Sequence, residues 1–232
     1  FIHRIEQSKN FKWIIFGLRA LLENYVETGS MRTKSKFDFG PVNTVISSNF
    51  VDKYRLRVSG RTTANLNKHL FWKGYYAYGT ESQKHYYGTE ITYSLNKKKN
   101  VPFEFPQRNI TFETGYDVMS PADKFLTHNK DNVFMSLRTQ KVEQMYFYNR
   151  QKLSFDYETD WGFSINTSVK AESNRPTGDL VFKKMPGAIT NPTADGNEYV
   201  NRIRTTEFKI GLRYCPGQTF INTKQQRWPV NL

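Results

Sequence analysis

One cysteine, Cys215, stands in 232 residues, so no disulfide can form within the chain. Its surroundings, Tyr214-Cys215-Pro216-Gly217, are those of a strand end entering a turn, where a lone thiol fills space and has no partner for chemistry. Histidine is also scarce. His3, His69, His85 and His128 are scattered, with no pair at a metal-ligand spacing. No Gly-x-Ser-x-Gly elbow, phosphate loop or dinucleotide fingerprint occurs. Asp195-Gly196-Asn197-Glu198 has the start of a calcium turn without the remaining oxygen ligands, and reads as a polar surface turn. Glu90 and Glu113 could mimic a catalytic pair, but charged residues on a wet wall are the commoner arrangement. No catalytic, cofactor-binding or metal-binding residue is therefore assigned, and the chain is expected to be non-enzymatic.

Long apolar runs are missing as well. Nothing approaches the roughly 18 consecutive apolar residues of a transmembrane helix. The hydrophobic fraction is 38% and the mean hydropathy -0.69. These values exclude helical spans. They leave a membrane barrel open, because only alternate residues of its strands meet lipid.

What the chain does contain is a period of two. Tyr87, Thr89, Ile91, Tyr93 and Leu95 alternate with Gly88, Glu90, Thr92 and Ser94. Phe163, Ile165, Thr167, Val169 and Ala171 alternate with Ser164, Asn166, Ser168, Lys170 and Glu172, and Phe208, Ile210, Leu212 and Tyr214 with Glu207, Lys209, Gly211 and Arg213. Such segments are extended strands with one apolar and one polar face. Similar patterns at 55–62, 70–78, 110–117, 133–138 and 153–158 bring the number of expected strands to about eight, with turn residues between them. The fold class expected is all-β: an antiparallel transmembrane β-barrel, in part, with a short N-terminal helix. That helix is placed at residues 11–25, where apolar side chains recur three and four apart. Residues 1–35 are read as a helical or linking segment and 36–232 as the barrel segment. The chain opens at Phe1-Ile2-His3-Arg4 and closes at Pro229-Val230-Asn231-Leu232, and is expected to be a piece of a longer protein.

On the polar faces, Glu90, Glu113, Asp156, Glu158, Lys170, Glu172, Glu207, Lys209 and Arg213 are expected to project into one interior. Gly74, Gly88, Gly115 and Gly211 lie mid-strand, where a missing side chain permits a bend or close approach. Long connections are expected at 118–132 and 173–202. With a strand at 133–138, strict up-and-down threading sends them to opposite ends. A strand missed or split between Gln140 and Tyr148 would change that parity.

The formal charge is +13, and 16% of residues are aromatic. A basic surface attracts polyanions, yet no nucleic-acid-binding motif accompanies the charge, and nucleic acid is not an expected partner. Anionic lipid headgroups are, with the run Lys97-Lys98-Lys99 facing them. Tyrosines at strand ends suit a membrane interface. They also suit a soluble, secreted or periplasmic β-sandwich that binds glycan through Trp72, Tyr76 and Trp161, the alternative reading.

Longer words in the chain carry a resemblance. Lys36-Phe37-Asp38-Phe39-Gly40-Pro41-Val42-Asn43, Tyr54-Arg55-Leu56-Arg57-Val58-Ser59-Gly60 and Gly74-Tyr75-Tyr76-Ala77-Tyr78-Gly79 resemble the DUF5686 family of Bacteroidota. So do Tyr116-Asp117-Val118-Met119-Ser120-Pro121, Asp131-Asn132-Val133-Phe134 and Gly217-Gln218-Thr219-Phe220-Ile221-Asn222-Thr223-Lys224-Gln225. The likeness runs from about Phe11 to the end. It implies a signal peptide and a carboxypeptidase-regulatory-like β-sandwich ahead of a C-terminal outer-membrane barrel, of which this chain would be a middle part. It brings no established reaction and no catalytic residue. The resulting expectation is a segment in the outer membrane of a Gram-negative bacterium, serving envelope transport or assembly. Its partners are lipid, with other envelope proteins or glycans meeting the loops at 118–132 and 173–202.

Overall fold

The computed structural model describes residues 17, 24–29, 34–121, 143–183, 199–222 and 227–230. They form an all-β chain of antiparallel sheets. The strands are β1 (Val26–Glu27), β2 (Phe37–Phe39), β3 (Ile46–Asn49), β4 (Lys53–Thr62), β5 (Leu70–Gly79), β6 (His85–Ser94) and β7 (Arg108–Met119). They continue as β8 (Gln144–Glu158), β9 (Phe163–Gly178), β10 (Phe182–Lys183), β11 (Tyr199–Val200), β12 (Ile203–Tyr214), β13 (Thr219–Asn222) and β14 (Arg227–Val230). The main sheet runs β1-β2-β4-β5-β6-β7-β8-β9-β12, with β3 also on β4; β10-β11 and β13-β14 are separate hairpins. Its two edges do not pair with each other among the described residues, so the sheet is open there.

From β4 onward each long strand lies beside the one before it, a meander that needs only hairpin connections. The β2–β3 side is broken. Phe39 pairs with Gly60 and Ile46 with Leu56, and the register jumps across the 3-10 turn Val42–Thr44 that separates the two pieces.

Register makes the faces explicit. Trp72, Ile91, Phe112, Leu153, Val169 and Phe208 are successive cross-strand partners, and all are exposed. One residue away on each strand runs the row Arg61, Lys73, Glu90, Glu113, Lys152, Lys170 and Glu207, on the opposite face. The apolar row is bare while much of the polar face is covered. Phe208 and Leu212 are 67% exposed, against 3% for Glu172 and 2% for Asn109. A water-soluble sheet puts its apolar face inward. Here the burial is inverted.

Aromatic rings fill the gaps that glycine leaves. A Cβ at Gly74 would fall 2.5 Å from the Trp72 ring on the apolar face, and one at Gly88 would run into the Tyr75 ring on the polar face. Gly115 sits beside Gly88, and a Cβ there would come within 3.1 Å of the Tyr87 carbonyl. At Gly211 a Cβ would make only ordinary contacts, 3.7 Å from the Asn166 carbonyl, so no unusually close approach requires glycine there.

The structure corrects the reading of the connections. β7 runs to Met119 and β9 to Gly178, so the first connection starts after 119 and the second after 178. β10 and β11 form a hairpin within the second. Because β7 pairs directly with β8, which starts at Gln144, both long connections leave the same end of the sheet. The expected strand at 133–138 lies outside the described residues, as does nearly all of the expected helix at 11–25. β1 carries the sheet to Val26, where it pairs with Phe39.

The charged polar face as candidate functional site

The polar face is a network with a definite centre. Arg55 on β4 grips Asp117 on β7 with both terminal nitrogens, at 2.6 and 2.7 Å. The Tyr75 hydroxyl donates to the same carboxylate at 2.5 Å, and both charged side chains are buried. A buried charge persists only when its partners satisfy it, and this planar fork does so for Asp117. Beside it, Arg150 on β8 donates to Glu172 on β9 at 2.7 Å and reaches Glu113 at 3.8 Å, and it lies over the Tyr148 ring. Lys73 and Glu90 pair at 3.6 Å, Lys170 and Glu207 at 2.8 Å. Mixed signs on neighbouring strands thus neutralise one another.

Arg57 is different. Its guanidinium lies 3.7 Å from the centroid of the Tyr75 ring, and no carboxylate pairs with it among the described residues. Ser59, two residues along β4, is buried with no hydrogen-bond partner for its Oγ among the described residues. Both line a cleft of about 180 Å3 that the neighbouring glycines Gly88 and Gly115 also line. Lys73, Glu90, Glu113, Tyr148 and Arg150 complete its charged and aromatic walls.

At the end with the long connections, Asp52 is fully buried and accepts from Tyr86 Oη at 2.6 Å, Ser82 Oγ at 2.5 Å and Asn49 Nδ2 at 2.9 Å. Ala77, Tyr86, Val118, Met145 and Phe147 form a small apolar cluster nearby. The cluster ties the turn after β3 and the turn after β5 to the ends of β7 and β8.

At the other end, side chains bonded to backbone hold the turn between β6 and β7. There the buried Glu104 carboxylate accepts backbone N–H groups of Lys99 at 2.8 Å, Asn100 at 2.7 Å and Val101 at 3.3 Å. Lys98 donates to the carbonyls of Glu104 and Pro106, both at 2.7 Å. Lys98 is 2% exposed, which corrects the expectation that all three lysines face headgroups; only Lys97 and Lys99 are exposed. The hairpin β13–β14 docks at the same end. Arg227 grips Glu158 at 2.7 and 2.9 Å, and Phe220 stacks on Phe105.

Burial pushes the Lys98 ammonium down to about 8, although the Glu104 and Glu158 carboxylates pull it back up. In the unfolded chain the same group titrates at 10.5. Between these values the unfolded chain binds more protons, so the Lys98 contribution to stability rises with pH through that window. The urea midpoint difference between the native chain and Lys98→Met is therefore expected to widen in favour of the native chain from pH 8 to 10.5. A constant difference would contradict the burial of a titrating ammonium.

The expected interior residues share one face by register. Glu90, Glu113, Asp156, Glu158, Lys170, Glu172, Glu207, Lys209 and Arg213 all fall on the polar side. They do not converge on one point, since they spread over five strands. The residues at the centre, Arg55, Arg57, Asp117 and Arg150, follow the same alternation, but only cross-strand register reveals that they meet. His69 Nδ1 bonds the Ser94 carbonyl and His85 Nδ1 bonds Tyr76 Oη, both near strand ends. His3, His128 and the 195–198 turn lie outside the described residues. Comparison with protein-family models, with curated proteins and with solved structures finds no match.

Proposed function

We propose that this chain is the barrel-forming segment of an outer-membrane protein, non-enzymatic itself and serving envelope transport or assembly. The observation that carries the reading is the inverted burial: the row from Trp72 to Phe208 is exposed, while Arg55, Asp117 and Glu172 are buried on the other face. A water-soluble monomer rarely exposes so contiguous a row of large apolar side chains. In a bilayer it is the ordinary state of a strand, apolar outward and polar inward.

Two further features support the reading. Tyr76 and Tyr87 stand towards one end of the apolar face, and Tyr93, Tyr214 and Trp161 towards the other. Aromatic girdles at two interfaces have this arrangement. The two longest connections, after Met119 and Gly178, leave one end of the sheet, as the long loops of bacterial barrels do. The words resembling the DUF5686 family agree with this placement, in the outer membrane of a Gram-negative bacterium. Within a bilayer the open edges, β12 on one side and β1 to β3 on the other, must be paired, with each other or with further strands. The connections after Met119 and Gly178 would then share one side of the membrane, free to meet envelope proteins or glycans.

Among the described residues a glycan-binding sandwich finds no specific support. Its core would need a second sheet over the apolar face, and the hairpins β10–β11 and β13–β14 are too short to cover it. The test is fractionation of the full-length native protein, with gel mobility compared before and after boiling. Recovery in detergent extracts of the outer membrane, with a heat-dependent shift, is expected. Recovery in the soluble fraction without detergent would overturn the proposal.

A further inference from the structure

We infer that the interior cleft beside Arg57 binds a small oxyanion, a carboxylate or phosphate group. Three cations line the cleft, Arg57, Lys73 and Arg150, against two carboxylates, Glu90 and Glu113. The ion pairs assign two of the three cations. Lys73 meets Glu90, and Arg150 meets Glu113 and also Glu172. Among the described residues, Arg57 is left as the unmatched charge of the cleft.

Its geometry suits capture. Stacking on Tyr75 holds the guanidinium by its face, which leaves the in-plane N–H groups to bond a ligand. Burying an arginine whose Nε finds no acceptor is costly unless something else supplies one. Ser59 Oγ, 9% exposed as a residue and also without a partner, adds a second donor on the same strand face. Gly88 lets the Tyr75 ring lie close against the sheet, and that ring is the platform on which Arg57 stacks. A guanidinium fork and a hydroxyl are the donor set that carboxylate and phosphate oxygens take.

Size limits the ligand. The cleft holds about 180 Å3, below the roughly 300 Å3 at which drug-sized sites begin, and equal to about six waters. Inorganic phosphate or a short-chain carboxylate fits within it. The lining carboxylates Glu90 and Glu113 disfavour extra negative charge, so the affinity belongs to a singly or doubly charged anion held reversibly. The site itself rests only on the polar face. Its meaning as a stop for solute inside a barrel rests on the function proposed above.

The test is calorimetric titration of the full-length protein, in uncharged detergent, with inorganic phosphate and separately with acetate. Saturable binding of at least one probe is expected. Arg57→Gln should weaken it about tenfold or more, the scale of one lost charged hydrogen bond. Arg57→Lys should restore part of it, since the charge returns without the fork. Glu90→Gln should tighten it, an effect that a merely structural role for Arg57 would not produce. Heat-dependent gel mobility of each variant reports folding; should Arg57→Gln misfold, Ser59→Ala carries the test with a smaller loss. No saturable binding of either probe, or equal affinity in the native protein and Arg57→Gln, would overturn the site. Binding that survives in a protein recovered without detergent would sustain the site and remove its membrane setting.

Discussion

Asp117→Asn is expected to destabilise the fold by about 3–5 kcal/mol, the cost of leaving a buried arginine without its counter-charge. Arg55 would remain buried with one neutral partner in place of a two-pronged ion pair, and Tyr75 would lose a charged acceptor. Asp117 Oδ1 also accepts the Val118 backbone N–H at 2.6 Å, a bond that weakens with the charge. The companion variant separates the pair from its parts. Arg55→Met together with Asp117→Leu removes both charges at once, and should recover most of the loss, because apolar groups of similar volume need no counter-ion. Urea titration of the folded protein in vesicles, read by heat-dependent mobility, measures both. A shift within about 0.5 kcal/mol for Asp117→Asn would mean that water, and not Arg55, satisfies the carboxylate.

The second large effect is a test of solvent. Phe112→Arg places a charge in the middle of the apolar face, between Ile91 and Leu153. Phe112 is 43% exposed, so a sheet with that face in water should tolerate the change within about 0.5 kcal/mol. At a bilayer midplane the same arginine costs about 2–4 kcal/mol. Glu113→Gln, one residue along and on the other face, is the control, and should leave insertion unchanged. Folding yield into phospholipid vesicles distinguishes the two solvents. Equal yields for native protein and Phe112→Arg would remove lipid from the apolar face.

Much of this was legible in the chain because strand faces follow from position alone. Ile91 and Glu90 are neighbours in sequence and opposites in space, and the period of two says so without further information. The interior residues were therefore assignable to a face. The centre of the site was not, because Arg55 meets Asp117 across 62 positions. That meeting depends on how far each hairpin slides, and loop residues set the slide. The parity of the long connections failed for a related reason. Residues 133–138 alternate as well as any strand does, yet β7 pairs with β8 directly. Lys98 shows a third limit. Three consecutive lysines look equally solvated in sequence, and only the carbonyls that converge on the middle one single it out. Tyr75 falls on the polar face by the same alternation, but nothing in sequence says that its hydroxyl reaches the Asp117 carboxylate.

The register jump between β2 and β3 makes the two margins of the sheet unequal templates. A newcomer aligning with β12 finds twelve residues of unbroken ladder, each adding a bond once the first has formed. On the far margin it finds four residues at β3 or two at β1, separated by a turn that points its backbone elsewhere. Zipping that is cooperative on one side would stall on the other. Among the described residues, pairing is thus easier to start at the C-terminal margin than at the N-terminal one.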